Sequence, residues 1–201
     1  MKKTTTEIIA REGWVELGII FALFMGTLSL EISLLSFILF IIFAIRIYYY
    51  LNTEKIPEDR DEFALLAPVD GEIIQVSSTK DSTQVVIKNS FFDSHIIRSP
   101  LEGEFVYGGE KHGLNFKDFE RADMLNSKKS FSIDNVKVEI IYHHDTYQNS
   151  LYFSDKQRVF RGERVGFLNR GYCKISLPPK RVKIALGDKV EAGKSTIAFL
   201  N

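Results

Sequence analysis

The chain has 201 residues with 26 basic and 26 acidic side chains, so its formal charge is zero. That balance removes any general electrostatic argument for a nucleic-acid partner. The single cysteine, Cys173, excludes an intrachain disulfide and fits a reducing compartment. His143 and His144 are adjacent and would point to opposite faces of a strand; no Cys/His cluster has zinc spacing, and no metal is expected.

Residues 14 to 51 are almost wholly apolar and form two runs, about 14–30 (WVELGIIFALFMGTLSL) and 32–51 (ISLLSFILFIIFAIRIYYYL). Each approaches the roughly 20 residues that cross a bilayer core. Glu31 between them would be costly in hydrocarbon and marks a bend, so the pattern predicts a transmembrane helical hairpin. A cleaved signal peptide would have a shorter apolar core. Gly18 and Gly26, with Ser29, Ser33 and Ser36, offer small surfaces for close helix approach. Trp14 and Tyr48-Tyr49-Tyr50 sit where an interfacial belt belongs. Lys2, Lys3 and Arg11 precede the first run, while Arg46 and Lys55 lie at or beyond the end of the second. Positive charge at both ends predicts that both face the cytoplasm, with the hairpin in the cell inner membrane.

Residues 52–62, charged and carrying Pro57, read as a linker, and 63–201 as a soluble domain. An internal echo opens that domain. Ala67-Pro68-Val69-Asp70-Gly71-Glu72-Ile73-Ile74 is answered by Ser99-Pro100-Leu101-Glu102-Gly103-Glu104-Phe105-Val106. Each copy is a proline, an acid-Gly turn and a strand. Further strands are predicted over 84–87, 136–142 and 172–177, giving a mostly β sandwich or barrel. Lys111 to Ser130 is polar with weak helical signals and reads as loops around an open face. Near the C-terminus, Gly187-Asp188 and Ala192-Gly193 supply turns, with Val190 and Ile197 pointing inward. That stretch is similar to the strand-turn-strand of biotinyl and lipoyl domains, but no lysine occupies a carrier tip.

The stretch 159–178 reads VFRGERVGFLNRGYCKISLP. Its Arg161-Gly162-Glu163-Arg164, Gly166 and Leu177-Pro178 resemble the segment where the shorter bacterial phosphatidylserine decarboxylases cut themselves. There the pattern is Arg-Gly-Glu-Arg-x-Gly, a Gly-Ser pair, and a short strand ending Leu-Pro. Asp93-Ser94-His95-Ile96-Ile97-Arg98-Ser99-Pro100 is similar to the family's Asp-Val-His-Val-x-Arg-Ser-Pro, and Pro68-Val69-Asp70-Gly71 to its Pro-x-Asp-Gly turn. The resemblance covers nearly the whole chain. It departs at the cut: Gly171-Tyr172 stands where Gly-Ser belongs, and no Gly-Ser pair occurs anywhere. Counting back from Leu177-Pro178 puts Gly171 at the serine position, so the segment is one residue short. Asn126-Ser127-Lys128-Lys129 also replaces the family's Asn-Glu-Arg-Asn.

In active members the resemblance implies that the serine hydroxyl attacks the preceding glycine carbonyl. Elimination then cuts the chain and leaves a pyruvoyl group, whose imine with phosphatidylserine accepts the electrons released as carbon dioxide departs. An aspartate and a histidine assist as base and orienter; Asp70 and His95 match those positions, with turn residue and half-buried side chain as their plainer roles. Arg98, Arg161 and Arg164 are the candidates for lipid phosphate, or else form a solvated basic face. Tyr172 cannot replace the serine, because its hydroxyl is on a ring and its β carbon carries no oxygen to eliminate. Cys173 alone nearby has the right chemistry, but it follows Tyr172 rather than Gly171.

The expectation is a membrane-bound family member that has lost self-processing, carries no pyruvoyl group, and binds a phosphatidylserine-like headgroup in phospholipid metabolism. An active decarboxylase with a variant cut and a membrane-tethered β-barrel scaffold are the alternatives. A homo-oligomer or a partner decarboxylase is compatible with the first.

Overall fold

The computed structural model describes residues 8–51, 53–144 and 149–200; Lys2, Lys3 and Asn52 lie outside them. The chain divides into two compact units, Met1–Glu54 and Lys55–Asn201.

In the first unit a 3-10 turn leads into α1 (Trp14–Ser29), which is followed by α2 (Ser33–Tyr49). Glu31 makes the bend between them with a positive φ of 59°. The helix from Arg11 to Ser29 is long and apolar enough to cross a membrane by length and composition; α2 is apolar but shorter. The contact between helices differs from the small-residue expectation. A Cβ on Gly18 or Gly26 would meet nothing within 4 Å, so neither glycine lies in the seam. Instead Phe21 packs on Phe43 (5.7 Å between ring centres) and Phe24 on Phe40 (6.0 Å), while Ser36 Oγ donates to Thr27 Oγ1 at 3.0 Å. Glu16, unremarked in the apolar run, pairs with Arg46 and accepts from Tyr50 Oη at 2.5 Å.

The second unit is mostly β: β1 (Ala64–Leu66), β2 (Gly71–Ser78), β3 (Thr83–Asn89), β4 (Ile96–Arg98), β5 (Gly103–Lys111), β6 (Lys128–Ile133), β7 (Val136–Tyr142), β8 (Ser150–Leu151), β9 (Gln157–Val159), β10 (Arg164–Phe167), β11 (Gly171–Leu177), β12 (Lys189–Val190) and β13 (Thr196–Phe199). Its one helix among the described residues is α3 (Phe119–Leu125). Eight strands form an antiparallel sheet in the order β12-β2-β3-β11-β7-β6-β5-β9, beside a β4-β10-β8 sheet and a β1-β13 pair. Both echo segments start strands, at Gly71 and Gly103.

Strand alternation sets the layers. Val85 and Ile87 of β3, Cys173 and Ile175 of β11, and Val138 and Ile140 of β7 point into the main core. The opposite face would be polar, yet it carries Val86, Tyr172 and Ile141, which form a second cluster with Ala122, Phe116 and Phe119. Helix α3 covers them. Asp118 caps it by accepting from Arg121 N at 3.2 Å, and Asp123 pairs with Lys174 of β11 at 2.8 Å. The region expected as loops around an open face is therefore a lid over part of the sheet. The C-terminal strand-turn-strand is not a hairpin either: β12 pairs with β2 and β13 with β1, although Val190 and Ile197 are both buried.

Candidate active site

Asn89 closes β3 and His95 leads into β4, with the loop 90–94 between them. His95 is 2% exposed. Asn89 Nδ2 donates to the carbonyls of Asp70 and Ser94, both at 2.9 Å, which turns its Oδ1 toward His95 Nδ1 at 3.2 Å. The same ring nitrogen faces the Leu168 carbonyl at 3.0 Å. Both partners are acceptors, so Nδ1 carries the proton of the neutral ring and Nε2 the lone pair. Burial pushes the His95 pKa down to about 4, opposed by hydrogen bonds to the backbone of Leu168 and Phe91. The ring is held neutral at pH 7, with Nε2 buried as well.

Asp70 enters this corner through its carbonyl. Its carboxylate is engaged elsewhere, accepting from Lys55 Nζ at 2.9 and 2.7 Å and from Ala192 N at 2.7 Å. Lys55 lies in the stretch read as a linker and also approaches Glu191 at 3.5 Å.

Gly171 begins β11 in register with Asn89 on one side and Tyr142 on the other. Its φ of 157° lies in the glycine-favouring region, and a Cβ there would overlap the Ile141 carbonyl oxygen. Tyr172 turns under α3. Its ring meets Phe119 (5.1 Å) and His143 (4.9 Å) edge-on, and its hydroxyl donates to the Lys117 carbonyl at 2.6 Å. Cys173 turns the other way into the main core, wholly buried, and burial pushes its thiol pKa well up. A thiol kept protonated is a poor nucleophile.

The three arginines do not gather at this corner. Arg98 is buried and donates to the Gly162 carbonyl at 2.9 Å, and Arg164 is its register partner across β4 and β10. Arg161 donates to the Asp61 carbonyl and lines a cleft of about 940 Å³ with Arg60, Arg158, Glu62, Glu102 and Asp134. Asp134 precedes the start of β7, whereas Gly171 pairs with Tyr142 at its end. Six residues of strand separate those ends by about 20 Å. Arg170, beside Gly171, is the cation near His95; its guanidinium lies over the Phe91 ring at 5.7 Å.

Sequence reasoning missed Asn89 and Lys55. An asparagine after an apolar strand reads as a turn residue, and a lysine in a charged stretch as solvated. Only the fold shows that one bridges Asp70 to His95 and that the other holds the aspartate's carboxylate.

A profile of the phosphatidylserine decarboxylase family matches residues 43–198. The chain is 25% identical to a phosphatidylserine decarboxylase proenzyme of Carboxydothermus hydrogenoformans, over 86% of this chain and 90% of that protein. It is 27% identical to one of Neisseria gonorrhoeae, over 96% and 79%, and 23% identical to one of Geobacter sp. strain M21, over the full length of both. No solved structure matches. The profile spans most of the chain, including the histidine corner and β11: this protein belongs to the phosphatidylserine decarboxylase family.

Proposed function

We propose that this chain is a family member that does not cut itself, is held in the inner membrane by its N-terminal hairpin, and binds a phospholipid headgroup without decarboxylating it. The observation that carries the reading is the start of β11. Gly171 has no room for a side chain, and the next two side chains lie on opposite buried faces of the sheet. No hydroxyl or free thiolate at 171–173 is poised to attack the preceding carbonyl and then leave from a β carbon. Without that step there is no pyruvoyl group.

The corner around His95 survives the loss and is the headgroup site in this proposal. Arg170, exposed at the edge of the corner, is placed to meet an anionic group of the lipid, while the buried His95 holds the loop 90–94 beside it. The cleft at Arg161 is about 20 Å away along β7, too far to serve the same headgroup. The β unit then faces the cytoplasm.

The intact mass of the detergent-solubilised chain tests the first half. One uncut chain is expected; a break at Gly171 that leaves a carbonyl-reactive new terminus would overturn the proposal and reveal an active decarboxylase. Titration with short-chain phosphatidylserine tests the second half. Binding should weaken several-fold in Arg170→Gln, and equal binding would remove the headgroup from this corner.

A further inference from the structure

The loop 90–94 that holds the histidine corner also carries two consecutive phenylalanines at the surface. Phe92 is 79% exposed and Phe91 37% exposed, their rings edge-on at 5.3 Å. Leaving such area in water forfeits about 25 cal/mol per Å² of apolar surface. Asp93 gives the loop a fixed shape by accepting from Ser90 N at 2.7 Å.

One cation touches this tip and two more follow along the adjoining sheet face. Arg170 lies over Phe91 at 5.7 Å. The Arg170 carbonyl accepts from His143 N at 3.2 Å, and the His143 ring stacks edge-on against Tyr172. Tyr172 leads to two lysines, being in register with Lys88 and bonded to the Lys117 carbonyl. Lys88, Lys117 and Arg170 are all exposed, and none forms an ion pair among the described residues. The acids nearby include Asp93 and Asp118, whose carboxylates each accept from a backbone amide, Asp70, held by Lys55, and Glu72, the register partner of Lys88. Aromatic rings at an exposed loop tip, beside cations without an ion pair among the described residues, are the composition of an interfacial anchor. The rings enter the headgroup layer, and the cations meet anionic lipid.

We propose that Phe91 and Phe92, flanked by Lys88, Lys117 and Arg170, form a second membrane contact that seats the β unit on an anionic bilayer surface with the His95 corner facing the lipid. The inference rests on the reading of the chain as membrane-held, but not on whether the chain is cut. It makes the loop an anchor that delivers headgroups to the corner, independent of the apolar helices.

The test uses the full chain reconstituted in vesicles, with an environment-sensitive fluorophore on Ser90→Cys, which keeps both phenylalanines. Cys173 is buried and leaves the label selective. Asp81→Cys serves as control, because it sits in the β2–β3 turn at the opposite end of β3. In vesicles containing anionic phospholipid, the label at 90 should shift to the blue and be quenched several-fold more by headgroup-proximal nitroxide lipid than the label at 81. Changing both phenylalanines to serine, or Lys88 and Lys117 to glutamate, should abolish the difference. Equal quenching at 90 and 81 overturns the contact. Equal quenching in neutral and anionic vesicles overturns the assignment to anionic lipid. Because the helices keep every variant in the vesicle, neither outcome depends on the mass or headgroup tests above.

Discussion

The histidine corner and the start of β11 meet across one register pair, Asn89 with Gly171, yet they use their side chains in opposite ways. At the corner, Asn89, Asp70 and His95 are joined by hydrogen bonds to Ser94, Leu168, Ala192 and Lys55, drawn from five separate stretches of chain. At the start of β11, Tyr172 and Cys173 are absorbed into two apolar clusters. A buried polar network fails if any member is left unpaired, so it resists piecemeal change. The strand start is held mainly by packing, so a change there is felt through volume and shape. The difference teaches that neighbouring parts of one sheet can be held by different forces, one by paired polar groups and the other by packing.

Gly171→Ser should break the comparison most violently. It places a side chain at the position reached by counting back from Leu177-Pro178, but in a glycine-favouring conformation against the Ile141 carbonyl. A loss of more than about 3 kcal/mol is expected from strain and overpacking together. Denaturant unfolding measures it, and a near-neutral change would mean that the strand start is loose. Tyr172→Ser comes next. It removes the ring contacts to Phe119 and His143 and the bond to Lys117, at a cost of about 3 kcal/mol. The chain should still run as one piece, because a hydroxyl at 172 points under α3.

The corner has its own signature in pH. The folded His95 pKa is depressed, to about 4 from 6.5, so the unfolded chain binds its proton more tightly. Its contribution is fully present above about pH 6.5 and is lost as pH falls toward 4, amounting to about 2 kcal/mol between pH 7 and pH 5. His143, also pushed down to about 4 by burial and by Lys88 and Arg170, acts in the same direction but is more exposed. His95→Gln should flatten the acid limb of a stability profile; an unchanged limb would show that the ring is not held neutral.

Much of this was legible in the sequence. Strands over 84–87, 136–142 and 172–177 were announced by alternation, because each has a core face with period two. The family was legible from Arg161–Arg164 and Asp93–Pro100, since these motifs were read without needing their positions in space. What stayed hidden depended on partners far along the chain. Tyr172 and Val86 look like ordinary strand residues until α3 is laid over them. Gly18 and Gly26 look like a helix seam until phenylalanines take that place. Arg98 and Arg161 look alike in sequence, yet one is buried against a carbonyl and the other lines a cleft.

Lys55→Met carries the smallest cost and the sharpest question. It frees the Asp70 carboxylate of two hydrogen bonds while leaving the Ala192 amide in place, so stability should fall by only about 1 kcal/mol. On its own it should leave the chain uncut. Inserting a serine between Gly171 and Tyr172 restores the Gly-Ser pair and its spacing to Leu177-Pro178, while the one-residue excess falls in the turn before β11. With Lys55 still bound to Asp70, the inserted chain should be cut weakly at most, because the aspartate's oxygens are occupied. The insertion combined with Lys55→Met should yield the largest cut fraction, read as two fragments by mass. That order would mean the corner still works and that only the serine and the freedom of Asp70 are missing. An uncut chain in every combination would mean the corner has been rebuilt as well, and the contrast between the two regions would disappear.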